Sequence, residues 1–182
     1  MLKVFALTFF FMLTGCTTNQ LHFAPYSTEA ELSAIQKQKT DVDVTKVSGA
    51  ESCVNCTERS TIVWHAANYN GSLFQGFSAI PVSDWKSFIS DSVLSDSHAP
   101  LKVEIVVNRI FLKTWNNPEY YACQSEITVY IGQSKLDGKA VVKIPSSGQW
   151  LVEKDLALLN PEVLKTIQLS LKAAYLNAIQ KR

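Results

Sequence analysis

Histidine is scarce in this 182-residue sequence, and the three present, His22, His65 and His98, are scattered. A structural zinc needs four ligands, and the single Cys-x-x-Cys has neither a second pair nor a paired histidine to complete it. No glycine-rich dinucleotide or phosphate loop occurs, and no Gly-x-Ser-x-Gly marks a nucleophile. Asp91, Asp96 and Glu104 fall in no paired-acid spacing and read as a solvated face. Charge of either sign is not in excess: Lys and Arg number 17, Asp and Glu 16. Such a balance gives no electrostatic footing for nucleic acid, whose binding proteins carry basic patches. Beyond the first stretch no apolar run approaches the roughly 20 residues a bilayer-spanning helix needs. The expectation is a protein that is not an enzyme and has no cofactor, no metal and no nucleic-acid partner.

What is present starts at the beginning. Lys3 supplies a short positive region, 4–12 is an apolar run containing Phe5, Phe9, Phe10 and Phe11, and Leu13-Thr14-Gly15-Cys16 follows. The run has the length of a signal-peptide core and is too short to span a membrane. The pattern resembles the lipobox of bacterial lipoproteins. That resemblance implies removal of 1–15 and attachment of acyl chains such as palmitate to Cys16. Thr17, where an Asp would retain the protein in the inner membrane, implies the outer membrane, facing the periplasm. Removal of 1–15 takes away Lys3 and no acid, so the mature charge is balanced. The lipid is then the only tie to the membrane, and two or more chains suffice where one is marginal.

Residues 16–40 read as a lipidated tether and a short helix. The stretch TTNQLHFAPYST at 17–28 is polar and small. Thr28 and Glu31 stand in capping-box spacing, with Leu32 and Ile35 at helical spacing, which predicts a helix over 29–38. Residues 41–182 read as one domain. Alternation predicts strands at 41–47 and 60–66, which could pair as a long-looped hairpin around a Gly/Ser/Cys/Asn loop. Asn70-Gly71 marks a turn. Ser83 reads as the N-cap, with Asp84 in the first turn, of a helix over 83–95 that carries Trp85, Phe88, Ile89 and Leu94 near one stripe. In 101–113 the apolar parity switches from Leu101, Val103, Ile105 and Val107 to Ile110 and Leu112, predicting a bulge near Asn108-Arg109. Strands follow at 120–131 and over 139–144, with Asp137-Gly138 as a turn. Asn160 caps, and Pro161 opens, a helix over 161–180. The fold class is α+β: an antiparallel sheet with a three-strand meander and two main helices packed on one face.

Export makes disulfides permissible. Cys53 and Cys56 flank a loop with no helix start, which speaks against a thioredoxin-like site. A local Cys53–Cys56 disulfide, or a bridge from either to Cys123, remains; by parity Cys123 is a buried small hydrophobe. His65 lies opposite the in-phase row of Ile62 and Trp64 and reads as solvated; Trp64 and Trp85 are core, and Trp150 covers the junction before the last helix. Trp115, Tyr120 and Tyr121 cluster about one loop. They read either as a contact surface for a partner or lipid, or as strand-end aromatics folded onto the sheet edge.

The order of lipobox, tether, strands, helix, three strands and closing helix, with LKVEIVVNRIF at 101–111 and DGKAVVKI at 137–144, resembles small α/β envelope lipoproteins. These are the YajG-like family and the auxiliary lipoproteins of ABC-type lipid transporters. The resemblance implies a non-catalytic envelope interaction protein or adaptor. The alternative it implies is a lipid-transport auxiliary that binds acyl chains or a transporter partner between sheet and helix. It transfers no site residue.

Overall fold

The computed structural model describes residues 20–51, 53–67, 76–116, 119–146 and 161–181. Cys16, Asn70-Gly71, Trp150 and Asn160 lie outside them. Among the described residues there are four helices, α1 (Gln20–Phe23), α2 (Glu29–Lys37), α3 (Trp85–Ser92) and α4 (Pro161–Ile179). Six strands, β1 (Val42–Ser48), β2 (Ile62–Ala67), β3 (Gly76–Ser78), β4 (Leu101–Asn116), β5 (Glu119–Ile131) and β6 (Ser134–Pro145), form one mixed, mostly antiparallel sheet.

β4 is the axis of that sheet. β5 pairs with it antiparallel from Glu104↔Tyr130 to Asn116↔Glu119, and β6 pairs antiparallel with β5. On its other edge β4 takes two parallel partners end to end. β1 pairs with 101–106 and β2 with 110–115. The long-looped hairpin of β1 and β2 is therefore not formed; β2 pairs antiparallel with β3 instead. Alternation identifies a strand but not its partner, and both partners here lie far away in sequence. The register shifts between Val107 and Arg109, at the bulge the parity switch predicts. Gly49, with φ +78°, leaves β1 against this bulge, where a Cβ would run into the Val107 carbonyl.

Helix starts follow local chemistry. The Thr28 hydroxyl accepts from Glu31 N at 3.2 Å and Glu31 Oε2 accepts from Thr28 N at 2.8 Å, completing the capping box of α2. α3 is capped by Asp84 rather than Ser83: its carboxylate accepts from Ser87 N at 2.9 Å. Leu94, with φ +55°, ends that helix in the left-handed region.

Asp137-Gly138 is not a turn. The chain turns at Gly132 and Gln133 and carries Asp137-Gly138 inside β6, opposite Thr128 and Ile127. The glycine is there for a different reason: a Cβ on Gly138 would overlap the Ala174 carbonyl of α4. α4 packs on β5 and β6, and α3 packs on α4 and β1. Alternate strand residues send side chains into two separate clusters. The larger holds Val42, Val44, Ile62, Trp64, Ile105, Ile110, Leu112, Tyr121 and Cys123 together with Trp85 and Ile89 of α3 and Ile167, Leu171 and Tyr175 of α4. The smaller, of opposite parity, holds Val63, Phe111, Tyr120 and Ala122 with Leu21 of α1.

Candidate functional site

The smaller cluster carries the less expected chemistry. Past the bulge, odd residues of β4 leave the larger core, so Phe111, Lys113 and Trp115 line up on its side with Val63 and His65 of β2 and Tyr120 of β5. Lys113 is 2% exposed. Its Nζ stands 4.1 Å from the Trp115 ring centre and 6.0 Å from that of Tyr120, within cation–π range of both. Burial, then the neighbouring charge of Lys143, push the Lys113 ammonium down to about 8, with Glu58 pulling the other way. Burial, then Lys113, lower His22 and His65 as well.

Onto this layer folds the segment that composition reads as a tether. α1 buries Leu21. His22 Nδ1 lies 3.3 Å from Tyr120 Oη, and its ring centre lies 5.8 Å from that of Trp115. Lys143 of β6 clasps the segment, its Nζ donating to His22 O at 2.9 Å and Ala24 O at 3.1 Å. The same ammonium lies 4.4 Å from the Tyr26 ring centre and 4.5 Å from that of Tyr120. Ser27 then extends the sheet, its N–H donating to Lys143 O at 2.7 Å while its hydroxyl accepts from Lys143 N at 3.2 Å. Residues 20–28 are thus docked, because Leu21, His22 and Ser27 each find a partner no sequence window contains.

The aromatic trio is divided. Tyr120 and Tyr121 are both buried and enter opposite clusters, as neighbours in a strand must, while Trp115 is half-buried beside Tyr120. They do not make one exposed surface. His65 is half-buried rather than solvated, stacked on Phe77 of β3 at 4.7 Å. Lys113, Lys143 and His22 are the members the sequence hides: a lysine at an inward position is indistinguishable by type from a solvated one.

A groove of about 740 Å³ opens where the docked segment turns into α2. Its walls are Tyr26, Ala34 and Ile35 on one side and Ala140, Val141 and Val142 of β6 with Ala173 and Leu176 of α4 on the other; Glu31, Lys139 and Asn177 edge it. β6 is a sheet edge, and its outward carbonyls are capped in turn. Lys181 Nζ donates to Asp137 O at 2.7 Å, Asn177 Nδ2 to Lys139 O at 2.9 Å, and Ser27 N to Lys143 O. Val141 has the same outward register, and among the described residues nothing caps its backbone.

Cys53 and Cys56 stand at disulfide distance, Cα atoms 5.5 Å apart, and Cys56 packs against the smaller cluster. Cys123 is buried and unbridged in the larger one, its thiol pushed up to about 12 by burial. Among the described residues no three His, Cys, Asp or Glu side chains gather to hold a metal ion, and no helix is long and apolar enough to cross a membrane.

No family model matches the chain, and no curated protein matches it. Among solved structures, the crystal structure of an uncharacterized protein is similar over 80% of this chain and 95% of its own, at 7% identity and a TM-score of 0.38.

Proposed function

We propose that this chain is a non-catalytic lipoprotein of the bacterial envelope, acylated at Cys16, held on the periplasmic leaflet of the outer membrane and acting there as an adaptor for a protein partner. In this reading β4, β5 and β6 are the three-strand meander and α3 and α4 cover one face, leaving the other to the anchored segment. The observation that carries it is the spacing of anchor and fold. Only Thr17, Thr18 and Asn19 separate Cys16 from Gln20, and the segment that follows is clasped to the sheet by Lys143. Such a domain works against the membrane surface, and a partner must meet it there.

A second reading is favoured by the groove. Its volume falls within the roughly 300–1,000 Å³ typical of ligand sites, and its walls are mostly apolar. An auxiliary lipoprotein of a lipid-transport system could seat an acyl chain in it. Both readings agree with the resemblance to YajG-like and transporter-auxiliary lipoproteins. One experiment separates them. The acylated protein and its Val141→Arg variant are crosslinked in cells and purified, and their organic extracts are analysed for lipid. Recovery of a protein partner that the variant loses supports the adaptor. A co-purifying lipid that the variant loses supports the second reading. Palmitate labelling of the Cys16→Ser variant would sink the anchor on which both stand.

A further inference from the structure

The face built by α1 and the smaller cluster carries its own line of aromatics, and they are not all covered. Ring contacts run from Phe77 to His65 at 4.7 Å, from His65 to Trp115 at 6.2 Å, from Trp115 to His22 at 5.8 Å and from His22 to Phe23 at 5.0 Å. The chain of rings ends at both sides in exposed residues, Phe23 at 72% and Phe77 at 36%; Tyr26, over Lys143 of β6, is 44% exposed. Phe23 is not free to fold away. The carbonyls of the residues on either side of it, His22 and Ala24, are both held by Lys143 Nζ, so its backbone is fixed with the ring outward. The same ammonium lies over the Tyr26 ring, so an exposed phenylalanine and an exposed tyrosine are both held to one clasp, an apolar surface open to a cover.

The position of the anchor says what the cover is. Cys16 precedes Gln20 by four residues, which even fully extended span at most about 14 Å. Acyl chains on Cys16 therefore bring α1 to the bilayer surface, and Phe23 lies one helical turn beyond Gln20. Tyrosine and tryptophan favour the headgroup level, where an apolar body and a polar tip are both accommodated. Resting on the acylation reading above, we infer that Phe23, Tyr26 and Phe77 form a membrane-seating surface: this face lies against the phospholipid headgroups of the leaflet that carries the protein's own acyl chains. The lipid is then one point of a planar contact, and it fixes which way the domain faces. The edge groove, which opens around the turn from α1 into α2, is presented at the margin of that contact.

The test uses the full chain, expressed and processed in cells, with the photoreactive benzoylphenylalanine installed singly at the positions of Phe23, Phe77 and Leu94. Leu94 is 51% exposed at the end of α3, which packs in the larger cluster, away from the proposed seat. After irradiation, the expected result is phospholipid adducts at the Phe23 and Phe77 positions, severalfold above the Leu94 position. Phe77 lies on a different element from Phe23, so a local disturbance at one leaves the other to report. Equal lipid adducts at Leu94, or adducts at Phe23 and Phe77 with protein alone, would overturn the seat. The mass of the mature protein is read in the same samples. Acylated protein with the wrong adduct pattern overturns the seat and leaves the anchor standing; unacylated protein overturns both.

Discussion

Lys113 is a buried cation whose neighbours include a second lysine, and its stability effect has a definite sign. Its ammonium, ordinarily near 10.5, titrates at about 8 in the folded protein. Below pH 8 both folded and unfolded chains hold the proton, and the fold bears the full cost of burying it. Between 8 and 10.5 only the unfolded chain holds it, so stability rises with pH and the cost is gone above that range. Replacing Lys113→Met is expected to raise stability at pH 7 by on the order of 1–3 kcal/mol, less what the Trp115 cation–π contact returns. Urea midpoints at pH 7 and 9.5 check this: the gain must shrink at the higher pH, and a variant less stable at pH 7 would refute it. Cys123 makes a second residue-scale case. With its thiol raised to about 12, an alkylating reagent should leave it unmodified in the folded protein and modify it in concentrated guanidinium. Cys53 and Cys56, at disulfide distance, should stay unmodified in both until a reductant is added. Modification of Cys53 without reductant would contradict the pairing.

At the scale of elements, what the sequence made legible was local. The capping box of Thr28 and Glu31 and the bulge at Asn108 are each encoded within a few residues, and each is found where the pattern puts it. Parity also puts Trp64, Trp85 and Cys123 inside. What stayed hidden is non-local. The parallel seats of β1 and β2 on β4 depend on residues tens of positions away. The clasp of α1 depends on Lys143, more than a hundred residues later. Gly138 shows the same limit in one residue, since Asp-Gly signals a turn whenever no helix backbone is known to press on the glycine. Its replacement makes the difference measurable. Gly138→Ala should cost about 2–3 kcal/mol through overpacking against Ala174. Gly132→Ala, at φ +58° with open space around it, should cost only about 1 kcal/mol of backbone strain. Thermal melts of the two variants decide it; equal losses would mean that the close approach of β6 and α4 is relieved elsewhere. α2 has no fully buried residue, so its cap carries a larger share of what holds it. Thr28→Ala removes its cap, typically about 1 kcal/mol. Amide exchange over 29–37 should then quicken while β4 and β5 stay protected.

For the whole molecule, the proposal of an acylated Cys16 makes one length decisive, the three residues between Cys16 and Gln20. A lipid alone fixes a point and leaves orientation open. Under that proposal a short link to a clasped segment would restrict the domain to one side, the side proposed above to carry the exposed rings of Phe23, Tyr26 and Phe77. If orientation rather than mere attachment serves the adaptor, lengthening the link should impair the protein without unfolding or detaching it. Inserting about ten Gly and Ser residues between Asn19 and Gln20 adds roughly 18 Å of typical reach. The variant is expected to keep its acylation and its thermal midpoint, since Leu21, His22 and Lys143 are untouched. It should lose most of the phospholipid crosslinking at the Phe23 and Phe77 positions and recover less of any partner. Undiminished crosslinking with the longer link would mean that the aromatic face holds the membrane by its own affinity, and that the brevity of the link contributes nothing to how the domain is presented.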